Sequence, residues 1–459
     1  MHVLVLDLTH GGSLIAQCLA GGTETGVQTI PDPGKNAGTN AVTAVDVYHT
    51  LDGSAIAGLE SRGISVLTEP PDAGGFDLIV SSVHLDPAYP TLSGARAAEV
   101  PVITHHAAVC KIMQSRLQGY EVIEVTGTTA KTSTVRTLAE ILSSCAGRRV
   151  VSHSSAGVEY WDGSGGSKSQ VIAKFSITPA SIIEVVRSAR DAHDPDVFIF
   201  EVSLGGTGLA DIGIVTTFAG DYLIANETTA ASGAKMQMVR QAKPGSTLIL
   251  GSDVAPVPVP DVVADTLTFG DGGDIYFESI EPERGVIVAD GRRIEFAVRN
   301  YDIFSYKTAI LAAVAAAISM NVGPMCIKSF LGNFCGVSGR MKVSEVEGRT
   351  IIDNSNSGMN ISSAESAIDH ARRIAGDWED RGKIVLIIGI EAYNVCEGLD
   401  SGRVIELITR NRDFVDDVIT VGVNTDFAQE VPGLDAGMAL AMGMTGAGDL
   451  IISCVKCFR

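Results

Sequence analysis

Residues 122–134 read Val-Ile-Glu-Val-Thr-Gly-Thr-Thr-Ala-Lys-Thr-Ser-Thr, an apolar strand, a tight turn and a helix opened by Lys131-Thr132 that continues from Ser133 to Leu142. No other stretch constrains the fold as much. A strand feeding a helix through a turn this short belongs to an α/β sheet, and the turn is built like a phosphate-binding loop. Backbone N–H groups and the helix N-terminus face the anion, Lys131 adds a point charge, and the Thr132 hydroxyl can reach Mg2+. The general pattern wants glycine, four residues, then Gly-Lys-Ser/Thr. Here Val125 and Ala130 stand at the two glycine positions and Gly127 is the one glycine of the loop. Taken alone, the segment also fits a strand–turn–helix with a chance lysine, so the rest of the chain has to decide.

With 459 residues the chain is long enough for two or three domains. Its 34 basic and 54 acidic residues leave a net charge of −20. A nucleic acid or an anionic membrane needs a basic face, so neither is expected as a partner. The start, MHVLVLDL, lacks a basic n-region, and the apolar stretch Ala309 to Met320 is shorter than the roughly 20 residues that span a bilayer. Eight scattered cysteines fit a reducing compartment, and a cytoplasmic location is expected. Cys454 and Cys457 form one CxxC pair, which cannot complete a four-ligand zinc site.

Three segments of alternating strands and helices follow one another. The first, 1–103, has strands at Val3–Leu6, Val42–Val45, Leu78–Val80 and Val100–Ile103. Such alternation implies a doubly wound parallel sheet, whose ligand crevice lies at the carboxyl ends of the strands. Thr9, His10, Gly11, Gly12, Asp46 and His84 fall near those ends, as do Tyr48, Ser81, Ser82 and His105. GxGxxG is absent, which argues against a dinucleotide, and Asp46 could equally cap a turn. The second segment, 104–337, holds the phosphate loop, a buried strand Val197–Phe200 ending at Glu201, and a helix from Ser232 to Ala242 carrying Lys235. A carboxylate at a strand end beside a phosphate loop is well placed to hold Mg2+. The third, 338–459, repeats the parallel pattern after the hinge-like Gly336-Val337-Ser338-Gly339.

Three such segments, with the phosphate loop opening the middle one, resemble the Mur ligase family over nearly the whole chain. The family loop reads Thr-Gly-Thr-Asn-Gly-Lys-Thr, and this one reads Thr126-Gly127-Thr128-Thr129-Ala130-Lys131-Thr132, departing at Ala130. Ile177-Thr178-Pro179 resembles the family's Thr-Thr-Pro, and Glu201-Val202-Ser203 its Glu-Val-Ser, whose glutamate holds Mg2+. Lys235 matches a lysine that is carbamylated in many members, and Gly339-Arg340-Met341 resembles the start of the third domain. Asp353-Asn354-Ser355-Asn356 stands where the family has Asp-Tyr-Ala-His, and Tyr222 stands at a metal-binding histidine. These departures leave the number of Mg2+ ions open.

The resemblance implies a three-domain α/β architecture, each domain built on a mainly parallel sheet: a Rossmann-like substrate domain, a central ATP-binding domain and a mobile Rossmann-like C-terminal domain. It implies ATP-dependent activation of a carboxylate as an acyl phosphate. Thr126 to Ser133, Arg340 and Asn356 would bind ATP. Thr132, Glu201 and Lys235 would hold metal, and Lys131, Glu201, Lys235, Arg340 and Asp353 would act in catalysis. The first-domain turn Thr9 to Gly12, Ala44 to Thr50 and the run Ile352 to Asn360 resemble a methanogen branch of the family that acts on a nickel tetrapyrrole. That branch activates one propionate and captures it with a carbon of the same molecule, so the nickel belongs to the substrate and the histidines need not be metal ligands. An amide ligase joining an amino acid to a carboxylate is the alternative enzyme, although Arg403, Arg410 and Arg412 make no evident carboxylate pocket for it. A nucleotide-gated cofactor-binding protein without catalysis is the alternative from another class. A monomer or homodimer fits either.

Overall fold

A computed structural model describes residues 1–21, 40–165, 169–190, 192–255, 257–298, 300–376, 382–391 and 399–457. The chain divides into two compact units, Met1–Tyr276 with Thr308–Val322, and Phe277–Lys307 with Gly323–Arg459.

The first unit contains two sheets. β1 (His2–Leu6), β2 (Ala41–Val45), β3 (Ile64–Leu67), β4 (Leu78–Ser81) and β5 (Val102–Thr104) form one of them, in the order β3-β2-β1-β4-β5. Every pairing in it is parallel. From β1 the chain goes to β2 on one side and returns to β4 on the other. The turn after β1, Asp7 onward, therefore lies at the topological switch where ligands of such sheets bind.

The second sheet uses β6 (Glu121–Thr126), β7 (Val150–Ser154), β8 (Gly157–Trp161), β9 (Ser169–Ala173), β10 (Val197–Glu201) and β11 (Ile212–Val215). A short ribbon, β12 (Leu223–Ile224) with β13 (Thr229–Ala230), stands apart, and β14 (Thr247–Gly251) and β15 (Asp265–Phe269) extend the sheet. Its order is β15-β14-β11-β6-β10-β7-β8-β9. The strands from β15 to β7 are parallel, and β8 and β9 add an antiparallel edge that the strand–helix alternation did not suggest. β6 is a second switch point, with β10 and β7 on one side and β11, β14 and β15 on the other. Sheets covered on both faces need continuous apolar strands. β10 shows this, with Val197, Phe198, Ile199 and Phe200 all fully buried.

The two sheets of this unit share one core. Ile15, Leu19 and Leu8 from the first sheet's turn and helix pack with Ala108 and Ile112 of the helix His105–Met113, and with Ala180 and Ile183 beyond it. This shared packing holds the carboxyl end of β1 against the segment that opens the helix Ser181–Arg190. The stretch expected as one helix from Ser232 to Ala242 is two short helices, Ala231–Lys235 and Gln237–Arg240.

β16 (Ile275–Glu281) carries the chain out of the first unit. In the second, β17 (Arg284–Ala289) and β18 (Arg292–Ala297) form an antiparallel hairpin. β19 (Lys342–Val346), β20 (Arg349–Asp353), β21 (Ile384–Ile390), β22 (Asp417–Val421), β23 (Gln429–Val431) and β24 (Leu450–Lys456) form a sheet in the order β19-β20-β24-β21-β22-β23. Only β19 runs antiparallel to its neighbour. The expected class, α/β on mainly parallel sheets, holds. The helix Ile303–Ser319 takes up the apolar run Ala309 to Met320 and is packed, with Ala312 to Ala317 wholly buried. Among the described residues no helix is long and apolar enough to cross a membrane.

Glu124 is a carboxyl buried in the middle of β6. It accepts from the Thr207 amide at 2.9 Å and from the Thr207 hydroxyl. Burial raises it from 4.5 to about 7 despite those bonds. The folded state therefore holds this proton more tightly than the unfolded chain does. The resulting stability is complete below about pH 4.5 and is lost as the pH rises through 7. Glu124→Gln should remove this slope, which denaturant titrations at pH 5 and pH 8 will show. An unchanged difference between the two pH values would assign the slope to other groups.

Candidate functional site

The phosphate loop is shaped by its neighbours in the sheet. β6 ends at Thr126 and the helix Lys131–Ala146 begins after four intervening residues. Gly127 has φ +141°, and a Cβ there would lie 1.9 Å from the Thr216 hydroxyl, so no other residue fits. The Thr216 hydroxyl donates to the Thr129 carbonyl at 2.7 Å. Thr128 donates to the Thr217 carbonyl through its amide at 2.9 Å and to the Ala219 carbonyl through its hydroxyl at 2.7 Å. These bonds tie the loop to β11 and the segment after it, next to a helix N-terminus of the kind that binds anions. Lys131 Nζ donates to the Gly127 and Thr128 carbonyls at 3.1 and 3.3 Å, which places its charge over the loop. Ala130 has φ +64°, in the left-handed region, where an alanine is strained by about 1 kcal/mol relative to glycine.

Behind the loop, the Thr132 hydroxyl donates to Glu201 Oε2 at 2.8 Å and lies 3.0 Å from the Ser155 hydroxyl. The Ser155 amide donates to the same Glu201 oxygen at 3.1 Å. Ser133 lies beside Thr132, and both are buried. A carboxylate and a hydroxyl this close, next to a phosphate loop, are hard oxygen donors suited to Mg2+. The Lys235 position is different. Lys235 is buried, with Nζ 3.4 Å from the Tyr222 hydroxyl and 4.6 Å from the centre of its ring. Tyr222 thus lies against the lysine itself. As an ammonium, Lys235 would repel a metal ion; as a carbamate it would supply oxygens. The segment after Glu201 packs on the same helix, for a Cβ at Gly205 would lie 3.0 Å from the Ala234 carbonyl.

At the end of β1, Asp7 is wholly buried and has φ 68° and ψ 85°. Sequence reading did not single it out, although a lone acid closing the run Val-Leu-Val-Leu at a switch point was a visible signal. Asp7 Oδ1 accepts from the Thr9 and His10 amides at 3.1 and 3.2 Å, and Oδ2 is 2.6 Å from His10 Nδ1. Burial alone would raise the Asp7 carboxyl. The hydrogen bond and charge of His10, helped by Ser82, bring it below its ordinary value. His10 stacks on His84, with centroids 4.2 Å apart and rings inclined by 20°, and meets Tyr48 edge-on at 5.6 Å. Burial, then the charge of His10, pushes His84 down to about 4. Gly11 lies against Thr178 and Ala180, and a Cβ at Gly12 would lie 2.2 Å from the Asp7 carbonyl. Asp46 accepts from the Thr50 and Leu51 amides at 3.2 and 2.9 Å, which is the turn-capping arrangement the sequence left open. His105 and His106 are buried, their Nε2 atoms 2.9 and 2.8 Å from the Leu6 and Ser203 carbonyls. Nearby, a cavity of about 500 Å³ is lined by Ser82, Leu85, Ile103 and Gln237, with Arg96 and Arg240 supplying positive charge.

The second unit gathers the remaining candidates. Asp353, at the end of β20, accepts from the Gly339 amide at 2.9 Å and the Ser355 amide at 3.3 Å. Asn356 Nδ2 donates to the Gly339 carbonyl at 2.7 Å, and its Oδ1 accepts from the Gly358 amide at 2.9 Å. Arg340 lies between them: its carbonyl accepts from Tyr306 at 2.5 Å, and a Cβ at Gly358 would lie 3.2 Å from Arg340 Nη1. The expected trio Arg340, Asp353 and Asn356 is therefore one cluster. Lys456, at the end of β24, is buried with Nζ 3.3 Å from the Met359 carbonyl, and the sequence carried no motif that marked it. Cys454 and Cys457 are buried and form no disulfide, and burial pushes the Cys454 thiol up to about 12, where it is inert.

Comparison with known proteins agrees with this geometry. The family described as coenzyme F430 synthetase CfbE, C-terminal domain, matches residues 343–457. The chain is 40% identical to the coenzyme F(430) synthetase of Methanosarcina acetivorans, over 99% of this chain and 98% of that one. It is 25% identical to a UDP-N-acetylmuramoylalanine–D-glutamate ligase of Corynebacterium diphtheriae over 82% of this chain and 78% of that one. Among solved structures it is similar in fold to the MurF ligase of Thermotoga maritima in complex with ADP, with a TM-score of 0.53 at 15% identity, covering 91% of this chain and 92% of that one.

The strain at Ala130 is directly testable. Ala130→Gly relieves about 1 kcal/mol, less the extra freedom of glycine in the unfolded chain. The thermal midpoint should rise by up to about 2 °C, and the affinity for an ATP analogue should stay within about twofold. A weaker analogue affinity in titration calorimetry would show instead that the alanine methyl shapes the loop.

Proposed function

The chain belongs to the coenzyme F430 synthetase family of ATP-dependent Mur-type ligases, and from that premise we propose that it activates a propionate of an open-ring nickel tetrapyrrole and closes a carbocyclic ring on it. The observation that carries the reading is the buried Glu201–Thr132 pair behind a glycine-anchored phosphate loop, in a chain matched over its whole length to such a synthetase.

The chemistry starts from a poor electrophile. A propionate oxygen attacks the ATP γ-phosphorus, ADP leaves, and the carboxylate becomes an acyl phosphate. Stabilising charge on the transferring phosphoryl group is the protein's main contribution to such a step. Lys131, over the loop, would do this, and residues Thr126 to Ser133 would orient the β- and γ-phosphates. Thr132 and Glu201 would hold Mg2+, which neutralises phosphate charge when bound. Lys235, as a carbamate, would extend that site. Arg340 and Asp353 would act on the transferring phosphoryl group, and Asn356 holds the backbone between them. We assign residues 1–103 to the substrate domain, 104–337 to the ATP-binding domain and 338–459 to a mobile domain whose closure excludes water from the acyl phosphate. Thr9 to Gly12 and His84 would line the substrate side, and Asp46 would shape it from behind by capping the turn at Thr50 and Leu51. A carbon of the same molecule then attacks the acyl carbon and phosphate departs. Because nucleophile and electrophile share one scaffold, no second substrate is needed and the effective molarity is high.

Labelling the propionate carboxylate with heavy oxygen and supplying Mg-ATP tests the activation step. One label should appear in the released phosphate, and unlabelled phosphate would rule out the acyl phosphate. Lys131→Ala should abolish turnover while leaving tetrapyrrole affinity within about threefold, since one lysine–phosphate contact concerns ATP alone. Equal loss of both, in absorbance titrations of the macrocycle, would contradict the division of labour between domains.

A further inference from the structure

The ring-closing reading leaves one proton unassigned. When carbon captures the acyl phosphate, the electron pair of its C–H bond becomes the new C–C bond. The bond from the acyl carbon to the phosphate oxygen breaks, and phosphate leaves with that pair. The carbon's proton must go to a base. The phosphate loop supplies cations, amides and hydroxyls, none of which removes a proton from carbon.

At the switch point of the first sheet the groups are of another kind. Asp7 holds a buried carboxylate in a left-handed conformation that its own cap on the Thr9 and His10 amides accommodates. That carboxylate faces His10 Nδ1 at 2.6 Å. A neutral imidazole that donates its Nδ1 proton to a carboxylate carries its lone pair on Nε2, so Asp7 selects that tautomer whenever His10 is neutral. Among the described residues Nε2 makes no hydrogen bond, and the His10 side chain is 27% exposed. The ring is held on one face by His84 and at an edge by Tyr48. Burial keeps His84 neutral at ordinary pH, so a proton arriving on His10 meets the Asp7 charge without an opposing one from its stacking partner. His105, the next imidazole, is likewise held low by burial. The location also suits the task. Gly11 lies against Thr178 and Ala180 of the central sheet's side. Ser82, whose side chain accepts from the His84 amide, also lines the 500 Å³ cavity.

We propose that His10 Nε2 is the base that takes the proton from the substrate carbon forming the new ring bond, with Asp7 as the residue that positions His10. This inference rests on the ring-closing reading above. After transfer, imidazolium pairs with the Asp7 carboxylate, and the proton passes to solvent when product leaves.

The test uses the full chain with Mg-ATP and the open-ring nickel tetrapyrrole acid, in the presence of hydroxylamine to trap acyl phosphate as hydroxamate. In the parent protein ring closure should outrun trapping. In His10→Gln ring closure should fall by roughly 10²- to 10⁴-fold, the usual worth of a general base. The ratio of hydroxamate to closed ring should rise to match. Added imidazole should partly restore ring closure in His10→Ala, which a merely structural role would not allow. Asp7→Asn should lower kcat with little change in KM. Should that variant fail to fold, the His10 variants decide alone. Ring closure by His10→Gln within about threefold of the parent would overturn the proposal, as would hydroxamate falling in step with ring closure. If the parent forms neither product, the ring-closing reading itself has failed, and this inference with it.

Discussion

The Glu201 carboxylate accepts from the Thr132 hydroxyl and from the Ser155 amide. Through those two bonds it joins the carboxyl ends of β10, β6 and β7, which lie side by side in the sheet. A carboxylate this buried is stable only when its oxygens are matched by donors. The match here requires the parallel register that sets Glu201 opposite Val125. Shifting that register by one residue would move every side chain of β10 to the opposite face and withdraw the carboxylate from the loop. The position of the phosphate loop, the donors around it and the oxygens available to a divalent cation all depend on this arrangement.

A second buried carboxylate plays the corresponding part in the first sheet. Asp7 ends β1 where the winding of the sheet reverses, as the loop at Gly127 ends β6 where the winding of the central sheet reverses. In both places the crevice arises because crossovers leave on opposite sides. The shared core around Ile15, Ile112 and Ile183 ties the two switch points into one unit. Anion-binding donors lie at one and an imidazole with its carboxylate at the other. Activation of an acid and deprotonation of a carbon call for these opposite chemistries.

Much of this was legible beforehand, for reasons that can be named. Strands such as Val197–Phe200 and Arg349–Asp353 are local: apolar runs bounded by turn residues identify themselves. The loop residues Thr126 to Ser133 and the pair Glu201 and Arg340 stand in motifs whose spacing carries meaning. The antiparallel edge β8–β9 was not legible, because partner choice in a sheet is a long-range property. Nor was the break between Lys235 and Gln237, where packing of a short helix under Leu204 and Ile224 overrides helix propensity. Ala130 was readable as a departure from the family loop, but its meaning depended on φ. A negative φ would have made the methyl harmless, whereas the observed +64° makes it a strained cap.

The sequence by itself determined the class of the fold, the strand–turn–helix at Thr126 to Ser133 and the set of charged residues proposed to act on a phosphoryl group. These follow from hydrophobic periodicity and from short motifs, both of which are written within a few consecutive residues. The tertiary structure alone decided what faces what: Tyr222 against Lys235, His84 flat on His10, and Asp7 against the His10 Nδ1 atom. The first two contacts join residues 13 and 74 positions apart, and only the packing of crossovers onto a sheet brings them together.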